Sequence, residues 1–237
     1  MLVLALDTTT RQGSIAVARD HTDVDVFAGD AAVTHGERLP GDLIRLLDAN
    51  QLRLADIDIF AVAAGPGSFT GLRIGIATMQ GLALANEKPL VGVSALDAMN
   101  HSLHTHRSPS AVRAEGDVCI WMDAQRGQVF SAVYRTDRVV EGPLVDAPGV
   151  ILARWRRSGN RPVMFAGDGA AAYRDAIAQA FPEAHTVAPP PLAPSVASLA
   201  AAQLVSGTAT GSPDAIRPLY VRRSDAELAR DRNAQLT

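Results

Sequence analysis

A glycine-rich run at residues 65–73, Gly-Pro-Gly-Ser-Phe-Thr-Gly-Leu-Arg, joins two apolar segments and limits how the chain can fold. The segment before it, residues 57–64, is short and apolar and is closed by Gly and Pro, which predicts a strand buried on both faces of a sheet. The segment after it, residues 71–86, predicts a helix with apolar side chains on opposite sides. Such a helix needs two packing partners. One is its own sheet, and the other is either a second helix of the same domain or another protein.

The same run also suggests a phosphate-binding loop, because glycines before a helix N-terminus expose backbone N–H groups to an anion. Two details argue against this interpretation. A P-loop needs a lysine after its last glycine, whereas Leu72 and Arg73 follow Gly71. The spacing of Gly65, Gly67 and Gly71 is also too long for the dinucleotide-binding fingerprint. We therefore favour a structural loop over a phosphate cradle.

The composition is that of an ordinary globular protein, since 47% of the 237 residues are apolar and 20% are charged. This length accommodates one large domain or two small ones. No apolar run is long enough to span a bilayer, and the N-terminal segment lacks the basic region of a signal peptide, so we expect a cytoplasmic protein without membrane contact. The net charge of −3 provides no large basic field for nucleic acid. The single cysteine, Cys119, is expected to be a core residue.

One pattern of strand, acidic residue, turn and strand occurs twice in the chain. The strand at residues 2–6 ends at Asp7, and a second strand follows the turn at residues 14–18. The strand at residues 118–122 ends at Asp123, and its partner follows at residues 129–134. This repeat predicts two similar α/β lobes that face each other.

An acidic residue at the tip of a buried strand has two interpretations. Asp7 and Asp123 can hold Mg²⁺ or orient a nucleotide phosphate, with the hydroxyls of Thr8 and Thr9 donating to phosphate oxygens. Alternatively, Asp7 caps its own turn by accepting hydrogen bonds from the backbone two residues further on. The sequence leaves both interpretations open.

A third glycine site, Gly167 and Gly169, follows the strand predicted at residues 162–165. In a two-lobed nucleotide-binding protein these glycines would lie near an adenosine. Strand-to-helix joints with glycine are common, however, so the signal is weak.

A second amphipathic helix is indicated after residue 34. Residues 34–37 have the pattern of a capping box, and Leu39, Leu43 and Leu46 recur at helical spacing. Pro40 lies within this segment, so the helix is either kinked there or begins at Pro40. The three leucines form a stripe that can lie on the surface beside the first helix.

Three histidines, His101, His104 and His106, lie close together before a polar segment. Their spacing matches no standard zinc motif, and no cysteine or carboxylate accompanies them. We therefore interpret them as the end of a helix and the beginning of a linker, and we expect no metal site.

Several of these motifs together resemble the bacterial TsaB (YeaZ) family, whose members are partners in making threonylcarbamoyladenosine in tRNA. The matching segments are residues 4–9, the glycine-rich run at 65–73, the hairpin after Asp123, Gly-Asp-Gly at 167–169 and Arg-Pro-Leu-Tyr at 217–220. They span nearly the whole chain. The resemblance implies the two-lobed α/β fold of actin-like and Hsp70-like ATPases (ASKHA), with each lobe built on a mixed sheet.

The resemblance also implies how the chain is divided. It gives an N-terminal lobe at residues 1–104, with a possible contribution from the helix near 195–205, and a C-terminal lobe at residues 105–237.

The catalytic relatives of this family, the TsaD proteins, carry a His-x-x-x-His metal pair after a Pro-x-x-Gly-Val strand. In this chain Ala95 and Met99 occupy those positions. Alanine cannot bind a metal, and a thioether is a poor ligand for hard ions. The resemblance therefore implies an inactive paralogue with no catalytic residues, cofactor or metal of its own, and ATP and metal are expected on partner subunits.

By the same resemblance, the chain is a scaffold that dimerises with a TsaD-like catalytic subunit through its two N-terminal helices and pairs with itself when that subunit is absent. A TsaE-like ATPase joins the complex, and tRNA is bound by the assembly. The residues expected at the partner interface are Leu39, Leu43, Leu46, Leu72, Ile76, Met79 and Ala83. The residues expected at a residual nucleotide site are Asp7, Thr8, Thr9, Asp123, Gly167 and Gly169.

The competing hypothesis is an active enzyme of the same superfamily, such as a small kinase, that uses Asp7 and Asp123 around Mg²⁺–ATP. The scaffold hypothesis predicts that Ile76→Glu or Met79→Glu abolishes complex formation and leaves a folded monomer.

Overall fold

The structure, a computed structural model, describes residues 1–20, 22–105, 116–159, 161–188 and 190–221. These residues form two five-stranded mixed sheets with helices on both faces of each. The strands of the first sheet are β1 (Leu2–Asp7), β2 (Ser14–Arg19), β3 (Thr22–Ala28), β4 (Ile59–Gly65) and β5 (Leu90–Ser94). The strands of the second sheet are β6 (Asp117–Asp123), β7 (Val129–Arg135), β8 (Arg138–Asp146), β9 (Pro162–Ala166) and β10 (His185–Val187). The helices are α1 (His35–Ala49), α2 (Phe69–Ala85), α3 (Ala95–Thr105), α4 (Pro148–Ser158), α5 (Asp168–Ala172), α6 (Arg174–Ala180) and α7 (Ala193–Val205).

The two sheets share one topology. The first has the order β3-β2-β1-β4-β5, and the second has the corresponding order β8-β7-β6-β9-β10. In each sheet the central strand pairs antiparallel with the strand that follows it in the chain. It pairs parallel with the strand that follows the next helix, which is β4 after α1 in the first sheet and β9 after α4 in the second. The predicted repeat is therefore confirmed, and with it the two-lobed α/β architecture in which each lobe is built on a mixed sheet. Asp7 and Asp123 end the two central strands, β1 and β6.

Helices α1 and α2 cover one face of the first sheet, and α7 covers the other. Helix α7 comes late in the sequence, and its alanines, which include Ala197 and Ala200, allow it to lie close to β1 and β2. Helix α3 lies between the lobes, because Ala98 packs in the first lobe and Met99 packs in the second. The division of the chain at residues 104 and 105 stays a prediction.

The start of α1 is fixed by its capping box. The backbone N–H and the hydroxyl of Thr34 donate to the Glu37 carboxylate at 3.1 and 2.6 Å, and the helix begins at His35. The alternative that it begins at Pro40 is therefore wrong. Pro40 lies inside the helix on its exposed side.

Helix α2 begins two residues earlier than predicted, at Phe69, and ends at Ala85, one residue short of the prediction. The Ser68 hydroxyl caps it by accepting the N–H of Gly71 at 3.2 Å. In the second lobe, Cys119 is buried, which confirms its prediction as a core residue. Across the described ranges, no helix combines the length and the apolar character needed to span a membrane.

Candidate functional site

The turn after β1 satisfies its polar groups internally. Asp7 is 2% exposed, and its Oδ1 accepts the backbone N–H of Thr9 at 2.8 Å and the Thr9 hydroxyl at 2.6 Å. The Thr8 hydroxyl donates to the carbonyl oxygen of Gly71 at 2.8 Å. Asp7 therefore caps its own turn, and both threonine hydroxyls, which were candidates for phosphate binding, donate to protein oxygens.

The glycines of the run pack against this turn. A Cβ on Gly67 would lie 2.5 Å from the Thr9 Cβ, and a Cβ on Gly71 would lie 2.1 Å from the Thr8 carbonyl oxygen. A Cβ on Gly75, one turn further along α2, would lie 2.2 Å from the Thr8 Oγ1. Contacts this short leave no room for a side chain. The glycines thus serve the close approach of α2 to the turn, which agrees with the structural interpretation of the run.

Two acidic side chains, one from each lobe, lie close enough for their charges to interact: Asp7 ends β1, and Asp168 begins α5. Burial is the main cause that raises the pKa of Asp7, and the charge of Asp168 raises it further. Burial also raises the pKa of Asp168, which accepts the N–H groups of Asp123 and Gly169, each at 3.0 Å. Asp123 itself accepts the backbone N–H of Gln125 at 2.8 Å and the amide of that side chain at 2.7 Å.

Gly167 and Gly169 also have a packing role. A Cβ on Gly167 would lie 2.0 Å from the Trp121 carbonyl oxygen, and a Cβ on Gly169 would lie 2.9 Å from the Met122 carbonyl carbon. Both glycines therefore allow the start of α5 to lie directly on β6. The structure brings Asp123 and these glycines together, and it brings Asp7, Thr8 and Thr9 together on the opposite lobe. Their assignment as a residual nucleotide site stays a prediction.

A largely buried ionic network holds α1 to the turn after β1. Arg38 and Asp42, whose side chains are 7% and 2% exposed, form an ion pair at 2.6 Å. The Nε2 of His35 donates to the Thr10 carbonyl oxygen at 2.9 Å, and its Nδ1 accepts from Arg38 at 2.8 Å. Arg38 also donates to the Gln12 carbonyl oxygen. Two carbonyl oxygens of the turn therefore accept hydrogen bonds from the side chains of His35 and Arg38 on α1. Burial lowers the pKa of His35.

The residues predicted for the partner interface are buried within the chain itself. All seven have exposed fractions of 7% or less and belong to cores of the first lobe or pack beside them; they are Leu39, Leu43, Leu46, Leu72, Ile76, Met79 and Ala83. As packed here, these side chains face the sheet, so their assignment as contact residues is wrong. The physical reason is that the most apolar stripe of each helix covers its own sheet, and the periodicity alone does not separate this stripe from a weaker one on the opposite side.

The outward sides of α1 and α2 carry a different apolar surface. Ile44 is 59% exposed, and Leu84 is 53% exposed. The two helices meet where a Cβ on Gly36 of α1 would lie 3.8 Å from the Ile74 Cδ1 of α2. Gly41 and Gly81 are exposed and add no side chain to the outward sides of these helices, and Cβ atoms on them would meet nothing within 4 Å. We call this surface the docking face, and its residues are Pro40, Gly41, Ile44, Ile74, Ala77, Gly81 and Leu84.

The positions that would carry a metal pair in a TsaD protein do not fit a metal. Ala95 and Met99 are fully buried in α3, in the core of the second lobe. His101 and His104 lie further along α3, and His106 lies outside the described residues. Within the described ranges, no group of three or more histidine, cysteine or acidic side chains is placed to hold a metal ion.

The chain is similar to proteins of one tRNA-modification group. A family model described as tRNA N6-adenosine threonylcarbamoyltransferase, TsaD, matches residues 26–230. The tRNA threonylcarbamoyladenosine biosynthesis protein TsaB of Escherichia coli is 36% identical over 58% of this chain and 56% of its own length. An uncharacterized protein of Mycobacterium leprae is 38% identical over 62% of this chain and 39% of its own length. The chain thus spans about half, or less, of these two curated relatives.

The similarity to solved structures extends over nearly the whole chain. YeaZ from Pseudomonas aeruginosa superposes with a TM-score of 0.71 at 25% sequence identity, over 92% of this chain and 99% of that one. The similarity therefore includes both lobes and the arrangement of their sheets.

Proposed function

Because the chain belongs to the TsaB (YeaZ) family, we propose that it is a non-catalytic subunit in the synthesis of threonylcarbamoyladenosine in tRNA, bound to a TsaD-type transferase. In this proposal the partner carries the reacting groups, and this chain favours one conformation of the partner by binding it more tightly than others. A TsaE-type ATPase and tRNA are contacted in the assembly, and the same surface pairs two copies of the chain when the partner is absent.

The observation that carries the proposal is the docking face. Isolated exposed apolar residues are ordinary, but Ile44 and Leu84 lie on neighbouring helices that also expose several small residues and a proline. Helices of a partner can lie closely against such a surface, since Gly41 and Gly81 present no side chain. The ionic network of Arg38 and Asp42 holds α1 in place beside α2, so the face is formed before a partner binds.

The non-catalytic part of the proposal is supported by the chemistry of two regions. Ala95 and Met99 are buried and supply no ligand for the metal that a TsaD-type site implies. At the turn after β1, the hydroxyls of Thr8 and Thr9 already donate to protein oxygens, and Asp7 is buried.

The alternative function, a Mg²⁺–ATP-dependent enzyme of small-kinase type, is favoured by one observation. Asp7 and Asp168 come from different lobes and lie close enough for the charge of one to raise the pKa of the other. Titration of the isolated chain with Mg²⁺–ATP in a calorimeter separates the two functions. The scaffold proposal predicts little binding and no turnover, and micromolar binding with turnover supports the enzyme.

The docking face is tested by measuring the affinity of the chain for a TsaD-type subunit. Ile44→Glu and Leu84→Glu place a charge in the apolar contact and are expected to weaken binding at least about tenfold. Val150→Glu is the matched control, because Val150 is 51% exposed on α4 of the second lobe and lies outside the docking face. Equal affinities for all three variants and the wild-type chain would show that the partner binds elsewhere.

A further inference from the structure

The segment at residues 211–221, which we call the C-terminal strap, runs back across the first lobe. The N–H of Leu90 on β5 donates to the Gly211 carbonyl oxygen at 2.9 Å, near the beginning of the strap. Towards its end, the N–H of Leu219 donates to the carbonyl oxygen of Ala64 on β4 at 2.7 Å. The strap is therefore fixed to the sheet at both ends.

The strap borders α2 on the side opposite to α1. The side-chain amide of Gln80 on α2 donates to the carbonyl oxygens of Pro213 and Ile216 at 2.9 and 3.3 Å. On the other side of α2, Ile74 faces Gly36 of α1. The outward face of α2 thus lies between α1 and the strap, so the strap continues the docking face.

Three side chains form a cluster where the strap meets the start of α2. The rings of Phe69 and Tyr220 stack with centroids 5.2 Å apart, and the Arg73 Cζ lies 3.9 Å from the Phe69 centroid. The Nε of Arg73 donates to the Tyr220 hydroxyl at 3.2 Å. The cluster is on the surface, since Phe69 is 43% exposed and Tyr220 is 45% exposed.

The guanidinium of Arg73 is held in place, and it has no ionic partner among the residues that the structure describes. No carboxylate of the described residues lies within ion-pair distance of it, in contrast to Arg38, which pairs with Asp42. Because its Nε donates to the Tyr220 hydroxyl, the two Nη groups are available for a bidentate contact with a carboxylate. An arginine that is already ordered by ring stacking loses less side-chain entropy when it binds.

We propose that Phe69, Arg73 and Tyr220 are a second anchor for the protein partner and bind an acidic side chain that lies beside apolar partner surface. This inference rests on the proposed function, because it extends the docking face onto the strap. Tyrosine and arginine are enriched among the hot-spot residues of protein interfaces, and these residues are surrounded by contacts that exclude water. The cluster combines these residue types with a positive charge that no described carboxylate pairs, and this charge is complementary to a partner carboxylate.

The test is the affinity of Arg73→Ala, Tyr220→Ala and Tyr220→Phe for the TsaD-type subunit. The two alanine variants are expected to weaken binding about tenfold or more, whereas Tyr220→Phe keeps the ring stack and is expected to lose less. Arg19→Ala is the control for the loss of one positive charge, because Arg19 is exposed at the opposite end of the first sheet. Raising the salt concentration is expected to weaken wild-type binding more than binding of Arg73→Ala, since the ion pair is absent from that variant.

The outcomes separate this inference from the proposed function. If Ile44→Glu weakens binding and the cluster variants bind like the wild type, the anchor is wrong and the docking face stands. If the wild-type chain forms no complex, both are wrong. If Arg73→Ala lowers affinity for tRNA and leaves affinity for the protein partner unchanged, the cluster is an RNA contact and the inference is overturned.

Discussion

The hydroxyl of Thr8 donates a hydrogen bond of 2.8 Å to the carbonyl oxygen of Gly71 and thereby joins the turn after β1 to the first turn of α2. Ser68, the residue that caps α2, donates its backbone N–H to the Thr9 carbonyl oxygen at 2.8 Å. Two threonines that resemble phosphate ligands in sequence thus position a helix. The orientation of α2, and with it the docking face, depends on this contact.

Replacement of Gly71 tests the contact between α2 and the turn. In Gly71→Ala the new Cβ meets the Thr8 carbonyl oxygen, a backbone atom that cannot move freely, so we expect a loss of stability of about 1–3 kcal/mol in urea unfolding. Gly81→Ala is the control, because its Cβ meets nothing within 4 Å and alanine favours a helix by up to about 1 kcal/mol. If the two variants unfold at the same urea concentration, the close packing described here is incorrect.

Neighbouring positions on α2 distinguish core from surface. Ile76 is 4% exposed, so Ile76→Glu buries a charge and is expected to lower the free energy of unfolding by more than about 3 kcal/mol. Ala77 is exposed, and Ala77→Glu is expected to change this free energy by no more than about 0.5 kcal/mol. Thermal unfolding followed by circular dichroism compares the stabilities of the two variants with that of the wild-type chain. A stable, folded Ile76→Glu monomer would show that Ile76 is not a core residue and would support its predicted position at the partner interface.

The buried carboxyl of Asp7 predicts a pH dependence of stability. Burial raises its pKa in the folded chain above the ordinary value of 3.8, so the folded state binds more protons than the unfolded state and stability falls as the pH rises through this range. Asp7→Asn keeps an Oδ1 acceptor for Thr9 and removes the charge.

We therefore expect the midpoint of thermal unfolding of Asp7→Asn to exceed that of the wild type at neutral pH and to approach it near pH 3.8. Parallel curves for the two proteins across this range would contradict a burial penalty at Asp7.

The sequence predicted the elements and their repetition well. Apolar runs that end at an acidic residue marked β1 and β6, and the capping box at Thr34 marked the start of α1. These signals are local, so they are readable without knowledge of the packing. The burial of Cys119 followed from its position in an apolar strand.

Which side of each helix faces a partner was not predictable from periodicity. Helix α2 has apolar residues on opposite sides, and only its position on the sheet shows that Ile76 and Met79 face inward while Leu84 faces outward. The sequence did not predict the cluster of Phe69, Arg73 and Tyr220, because Tyr220 is far from the other two along the chain. Arg73 and Tyr220 are separated by 147 positions. The sequence signals were two separate matches to the family, at residues 65–73 with Phe69 and Arg73 and at residues 217–220 with Tyr220.

The function of the docking face is measured by the rate of threonylcarbamoyl transfer to tRNA by a reconstituted TsaD-type subunit and its ATPase, with and without this chain. Ile44→Glu is compared with Asp123→Asn, which keeps an oxygen acceptor for the N–H of Gln125 and removes the negative charge at the end of β6. We predict that the wild-type chain and Asp123→Asn support the same rate and that Ile44→Glu slows transfer about tenfold or more. Full activity with Ile44→Glu and loss of activity with Asp123→Asn would contradict a role of the docking face and assign the function of the chain to the predicted nucleotide site.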